Sequence, residues 1–119
     1  MQFKSLVGQL GQKIARDWIV ARGYQLLEEN FYTRVGEIDL VLKDDDQLIF
    51  AEVKTRLSAD YGAPEEAITK SKLEKIYQAG LVYIEQKNIQ DDNFRLDCLA
   101  IEIDRQNKKA LIRHHKNIS

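Results

Sequence analysis

Two short stretches of this chain carry ionisable residues where strands should be apolar. They are Gly36-Glu37-Ile38-Asp39-Leu40 and, starting thirteen residues after Asp39, Glu52-Val53-Lys54-Thr55-Arg56. Residues 36–43 and 47–56 read as strands flanking an acidic turn at Asp44, Asp45 and Asp46, which predicts a hairpin. With Asp45 and Asp46 as the two turn residues, Val41 falls opposite Phe50, Asp39 opposite Glu52 and Glu37 opposite Lys54. Alternation then gives one core face of Ile38, Leu40, Leu42, Ile49, Ala51 and Val53. The other face mixes Val41, Leu48 and Phe50 with Glu37, Asp39, Glu52 and Lys54.

Like charges across strands repel, and each desolvated ion costs several kcal/mol, so stability alone does not explain three acids on one face. A divalent cation relieves both penalties. Mg²⁺ takes oxygen ligands, and Asp39, Glu52 and the peptide carbonyl of Val53 are candidates, with Glu37 a third ligand or an acceptor behind them. Lys54 lies two residues beyond Glu52 on the same face, where its charge would orient an attacking water and offset charge growing on a phosphate. An exposed ion-pair ladder on a solvated face is the alternative reading. The run Ile49-Phe50-Ala51, which reads as buried, favours the chemical one.

The remaining elements must position these strands. From about Ser5 to Arg22, Leu6, Leu10, Ile14 and Trp18 recur every four residues, with Val7, Ala15 and Ile19 beside them, a helical period. A second stripe, Gly8, Gly11, Gln12 and Ala15, leaves one helix face almost without bulk and carrying a single amide. Two interior glycines at about 1 kcal/mol each suggest close approach of another backbone or a ligand, plain packing on a sheet being the simpler account. Gly23 stops the helix, and Tyr24 to Tyr32 reads as a strand. A helix beginning at Ala63-Pro64-Glu65-Glu66 is expected to run to about Gln86, buried along Ala67, Ile68, Leu73, Ile76, Tyr77, Gly80, Tyr83 and Ile84, with Lys70, Lys72 and Lys75 in its first half. Phe94 to Ile103 and Lys109 to His115 close the chain as strands. The order α-β-β-β-α-β-β implies an α/β fold, a mixed β-sheet with helices packed on it.

These residues resemble the bacterial YraN-like family, related to archaeal Holliday-junction resolvases and to the PD-(D/E)xK, or restriction-endonuclease-like, nucleases. The likeness runs through Gly8-x-x-Gly11, Ala15, Gly23-Tyr24, Asn30, Gly36 to Leu40, Phe50 to Arg56, Gly62-x-Pro64, Ala67, Lys72 and Arg95-x-Asp97. It implies a restriction-endonuclease-like sheet and a Mg²⁺- or Mn²⁺-dependent DNA endonuclease, acting on branched DNA such as Holliday junctions. Asp39 would be the motif aspartate, and Glu52 and Lys54 the acid and lysine of the second half. In that family a glutamate follows the second glycine, where this chain has Gln12. An amide oxygen can coordinate a metal but brings no charge, so metal affinity should be lower. Asp17, the only acid in the first 24 residues, lies five positions on and about 140° round the helix. A nuclease-fold module that binds DNA or a repair protein with weak or no cleavage is therefore the second reading.

For nucleic acid, Arg34, Arg56, Lys70 and Lys72 flank the site, and Arg105 to Lys116 holds five basic residues, two histidines and no acid. The tail reads equally as an ordinary solvated surface. Resolution of a symmetric junction would call for a homodimer. Adjacent His114 and His115 point to opposite strand faces and receive no catalytic role, and the aromatic spacing shows no base-stacking platform.

At 119 residues and 44% hydrophobic, the chain suits one nuclease-like domain spanning 1–119, and a net charge of −1 confines any nucleic-acid surface to a local patch. A single cysteine, Cys98, excludes an internal disulfide and reads as a small packed hydrophobe. No apolar run suggests a membrane span, and the first residues lack the pattern of a secretory signal, so a cytoplasmic location is expected.

Overall fold

The computed structural model describes residues 4–58, 62–91 and 93–118. Helix α1 (Leu6–Ala21) leads into strands β1 (Gln25–Tyr32), β2 (Glu37–Asp44) and β3 (Gln47–Leu57). A 3-10 turn (Pro64–Ala67) precedes helix α2 (Lys70–Gln86), and strands β4 (Phe94–Asp104) and β5 (Lys109–His115) follow. The five strands form one sheet in the order β1-β2-β3-β4-β5. Only the β3·β4 pair is parallel, because the crossover through α2 joins them, while the other three pairs are antiparallel. This is the α/β order read from the sequence.

The two helices cover opposite faces. Ala15 and Ile19 of α1 pack with Leu40, Leu42, Ile49, Ala51, Leu99 and Ile101, whereas Ile76, Ala79 and Tyr83 of α2 pack with Phe31, Ile38, Val41, Phe50 and Leu96. On α1 the small stripe is the buried one, since Gly11, Gln12, Ala15 and Ile19 face the sheet while Leu6 and Leu10 stay exposed. The cause is backbone approach: a Cβ on Gly11 would run into the Thr55 side chain. Likewise, a Cβ on Gly80 would lie 2.6 Å from the Phe50 ring, so α2 rides directly over that ring.

Three expectations need correction. The second helix is not continuous from Ala63, because Ile68 is extended (φ −84°, ψ 118°) and Thr69 starts α2 afresh, its hydroxyl accepting from the Lys72 N–H at 3.1 Å. Tyr77 and Ala67 accordingly lie outside the buried stripe, which runs through Ile76, Ala79, Gly80 and Tyr83. The hairpin register is as expected, with Val41 opposite Phe50 about a turn at Asp45 and Asp46, but the ladder ends at Leu40 opposite Ala51. Asp39 and Glu52, and Glu37 and Lys54, are therefore not ladder partners. Finally, Ile38 belongs to the α2-side cluster with Val41 rather than with Leu40. The alternation slips by one where β2 leaves β3.

Candidate functional site

Beyond Leu40 and Ala51 each strand keeps a different neighbour. Residues Ile38 and Glu37 of β2 stay paired with β1, while β3 continues alongside β4 as far as Leu57. The hairpin splays, and its backbone edges lose their mutual bonds. Asp39 partly closes the gap, its Oδ2 accepting the Val53 N–H at 2.8 Å. Because the N–H and C=O of a strand residue leave on the same side, the Val53 carbonyl faces this gap too.

The splay opens a cleft of about 270 Å³. Its walls hold Glu37, Asp39, Glu52, Val53, Lys54 and Lys72, with Gln12 reaching in from α1. Lys4, Ser5, Gly8 and Thr55 complete the lining. Seven of the residues singled out in the sequence thus meet at one place, although the two halves arrive from separated strands rather than from one flat face. Arg34 stands in a neighbouring groove that shares Glu37 and Lys72 with the first. Arg56, level with Glu102 on the adjacent strand, and Lys70, exposed at the start of α2, line neither space.

Asp39 and Glu52 are 3% and 4% exposed, an arrangement that folding alone disfavours. Burial, and then the charge on Asp39, push the Glu52 carboxyl up to about 7, with Lys72, Lys54 and Lys4 opposing the shift. Lys54 Nζ and Lys72 Nζ stand 3.6 and 3.7 Å from Glu52 Oε1, within range for ion pairing but long for hydrogen bonds. Lys4, unrecognised in the sequence, places its Nζ 2.6 Å from Asp39 Oδ1 and 2.9 Å from Glu37 Oε1. Burial works against its charge, but the two carboxylates outweigh this and raise its pKa. Nothing in its spacing marks Lys4, because it precedes the helix and comes near Asp39 only through the docking of α1.

Gln12 is held by its nitrogen. Nε2 donates to Glu29 Oε2 at 3.2 Å and to Asn30 Oδ1 at 3.1 Å, and Asn30 adopts a left-handed φ of 52°. Arg16 in turn pairs with Glu29 at 3.0 Å. The amide oxygen, Oε1, is buried and has no partner among the described residues. Leaving a buried acceptor unsatisfied costs about 1–3 kcal/mol, so an unfilled Oε1 in a cleft wall is a place for a cation or a donor. Asp17 lies outside, exposed and 3.4 Å from both Lys13 and Arg16.

Among the described residues no three His, Cys, Asp or Glu side chains converge closely enough to hold a metal by themselves. The available donors are mixed but all oxygen: Asp39, Glu52, the Val53 carbonyl and Gln12 Oε1, a set that suits a hard divalent cation. Elsewhere, Arg113 of the basic tail is engaged at 2.7 Å by Glu65 and at 2.9 Å by Glu102, and His115 meets Glu65 at 2.6 Å. The pairing with Arg113 holds the Glu65 carboxyl down at about 2. That tail is therefore partly neutralised. Cys98 is buried, and desolvation pushes its thiol up to about 12, as suits a packed hydrophobe.

The profile of the uncharacterised protein family UPF0102 matches residues 11–101, which include Gln12, both halves of the cleft motif and Lys72. The chain belongs to UPF0102, the YraN family. Over 112 residues it is 40% identical to a UPF0102 protein of Clostridium botulinum (strain Loch Maree / Type A3), covering 93% of this chain and 91% of the relative. The UPF0102 protein of Caldanaerobacter subterraneus subsp. tengcongensis is 40% identical over 98 residues, 82% of this chain and 80% of its own. The UPF0102 match thus takes in the splayed hairpin, α2 and α1 from Gly11 onward. Among the described residues no helix is long and apolar enough to cross a membrane.

Proposed function

We propose that this UPF0102 chain is a divalent-cation-dependent phosphodiesterase acting on DNA, with the splayed hairpin as its active site. The observation that carries the reading is the juxtaposition of two buried carboxylates, Asp39 and Glu52, with the unsatisfied Oε1 of Gln12 and two lysines in one cleft. Asp39, Glu52, Val53 O and Gln12 Oε1 would hold Mg²⁺ or Mn²⁺, which supplies Lewis-acid polarisation of the phosphate and of the attacking water. Lys54 orients that water and offsets charge building on the phosphoryl oxygens. Lys72, at the cleft mouth and 3.7 Å from Glu52, binds a phosphate of the substrate, and Arg34 binds the next along the adjoining groove. Arg56 and Lys70, outside both spaces, contribute at most longer-range attraction. Glu37 acts through Lys4, which it shares with Asp39.

The test is cleavage of branched DNA in Mn²⁺ by the wild type, Asp39→Ala and Lys54→Ala. Loss of cutting in both variants supports the reading, and cutting at the wild-type rate by either purified variant rejects it. If the substrate is a two-fold junction, active protein must be a homodimer, and sedimentation at assay concentration reads this directly.

Gln12 favours a second reading, a nuclease-fold module that binds DNA or a repair protein without efficient cleavage, because its amide adds no charge to the donor set. Under it, junction binding is insensitive to EDTA, the wild type does not cut in Mn²⁺, and Gln12→Glu restores cutting.

A further inference from the structure

Beside the carboxylate cleft, and joined to it through Glu37 and Lys72, runs a second and larger groove of about 340 Å³. One wall is the turn between β1 and β2, residues 33–36, and the other is the first half of α2. The turn is rigid. Thr33 Oγ1 accepts from the N–H groups of Val35 and Gly36 at 3.1 and 3.0 Å, and the Thr33 N–H donates to Gly36 O at 2.9 Å. It is also clamped to α2, since a Cβ on Gly36 would lie 2.6 Å from the carbonyl oxygen of Lys75. Arg34 and Lys75 are thereby held on opposite walls, and among the described residues neither is in an ion pair. Glu37, the one acid of the lining, is paired with Lys4, an ammonium it shares with Asp39. In a chain of net charge −1, the groove is a local concentration of positive charge that leads to the candidate catalytic centre.

Two apolar surfaces set this groove apart from a simple phosphate rail. Tyr32 lines it, is 40% exposed, and has no ring–ring contact among the described residues. Val35, at the tip of the turn, is 46% exposed. Paired bases in a duplex are stacked on their neighbours and offer no free π-face, whereas an unpaired base does. We infer that this groove receives an unpaired polynucleotide strand, with a base stacked on Tyr32 and flanking phosphates on Arg34 and Lys75. The inference rests on the phosphodiesterase reading for the identity of the ligand and sharpens it: the substrate carries a single-stranded segment next to the bond to be cut.

The experiment is fluorescence anisotropy in EDTA, so that neither metal nor cleavage enters. The probes are labelled twenty-nucleotide oligodeoxythymidylate, its ribo counterpart and a blunt duplex of equal length. The expected result is single-strand binding at least fivefold tighter than duplex binding. Tyr32→Leu should weaken it about tenfold and leave the duplex unchanged, while Tyr32→Phe keeps wild-type affinity. The double variant Arg34→Ala/Lys75→Ala should lower the logarithmic salt slope by about 1.4, the value for two contacts to a single strand. Preference for the deoxy or the ribo strand identifies which polynucleotide is used. Equal binding of duplex and single strand, or Tyr32→Leu binding like the wild type, overturns the inference. Failure of the groove beside cleavage that still depends on Lys54 strikes only this inference. Intact single-strand binding without metal-supported cleavage strikes only the hydrolytic reading.

Discussion

Three carboxylates are buried among the described residues, and the fold treats them in two opposite ways. Asp97 on β4, wholly buried, is saturated by fixed donors. Arg95 grips it with Nε at 3.0 Å and Nη2 at 3.2 Å, His114 Nε2 lies at 2.7 Å, and the Asn117 N–H donates at 2.9 Å. His114 is itself wedged edge-on against Trp18 and Tyr24, so this network ties α1 and both closing strands together. Asp39 and Glu52, almost as deeply buried, have among the described residues one backbone N–H and the tips of three lysines between them, and beside them an amide oxygen without a partner there. A satisfied buried carboxylate holds the fold, whereas an under-satisfied pair in a cleft leaves coordination unmet.

Substitutions can break this comparison, and the largest effect is expected at the saturated site. Asp97→Ala strands Arg95 and His114 and should cost about 3–5 kcal/mol in urea unfolding, while the same measurement on Asp39→Ala should show less than half of that loss. If the two losses are equal, the sites do not differ in kind. Next, Lys54→Ala should lower Mn²⁺-supported cleavage about 10²–10³-fold, the range for removing one transition-state charge partner, with an unfolding midpoint close to wild type.

Replacing a buried charge by its amide should move the two sites in opposite directions. Glu52→Gln removes a desolvation penalty and should stabilise by about 0.5–2 kcal/mol while abolishing activity, and Asp97→Asn should destabilise. Asp97 also has a pH signature. Burial alone would raise its pKa, but His114, Arg95 and the Asn117 N–H together hold it below its ordinary 3.8. Its contribution is therefore full above about 4 and is lost as pH falls through the lowered value, so the stability gap between wild type and Asp97→Asn should close in acid. The smallest effect concerns Lys4. Lys4→Met frees Asp39 and Glu37 and should tighten Mn²⁺ binding severalfold by calorimetry, whereas looser binding would make the ammonium part of the site's organisation rather than a competitor.

Much of the cleft is legible in residue types and spacing alone. The spacing of Gly36 to Leu40 and of Glu52 to Arg56 marks the hairpin and its chemistry, and the bulk-free stripe through Gly11 and Gln12 marks the face of α1 that meets Thr55. The ladder register about Asp45 and Asp46 follows from turn geometry. Less legible is the failure of that ladder. A hairpin rule extends pairing outward until something competes, and here the competitors, β1 for Ile38 and β4 for Glu52, lie elsewhere in the chain. Lys4 and the His114 and Asn117 contacts of Asp97 are hidden for a related reason, since they join residues 35 and 17 to 20 positions apart, whereas Arg95-x-Asp97 stands in the sequence.

By itself the sequence determined the order of elements, the apolar periods that bury them, the turn and the identity of the ionisable groups. Those are local properties, set by side-chain type and by repeats of two or nearly four residues. Only the tertiary structure decided that β2 and β3 part at Leu40, that Gln12 keeps a buried oxygen without a partner among the described residues while Glu29 and Asn30 hold its nitrogen, and that Arg34 and Lys75 line one groove. Each of these depends on which distant backbone or side chain captures a hydrogen bond or excludes a Cβ. That competition is settled when the sheet and helices pack, not by the spacing of residues along the chain.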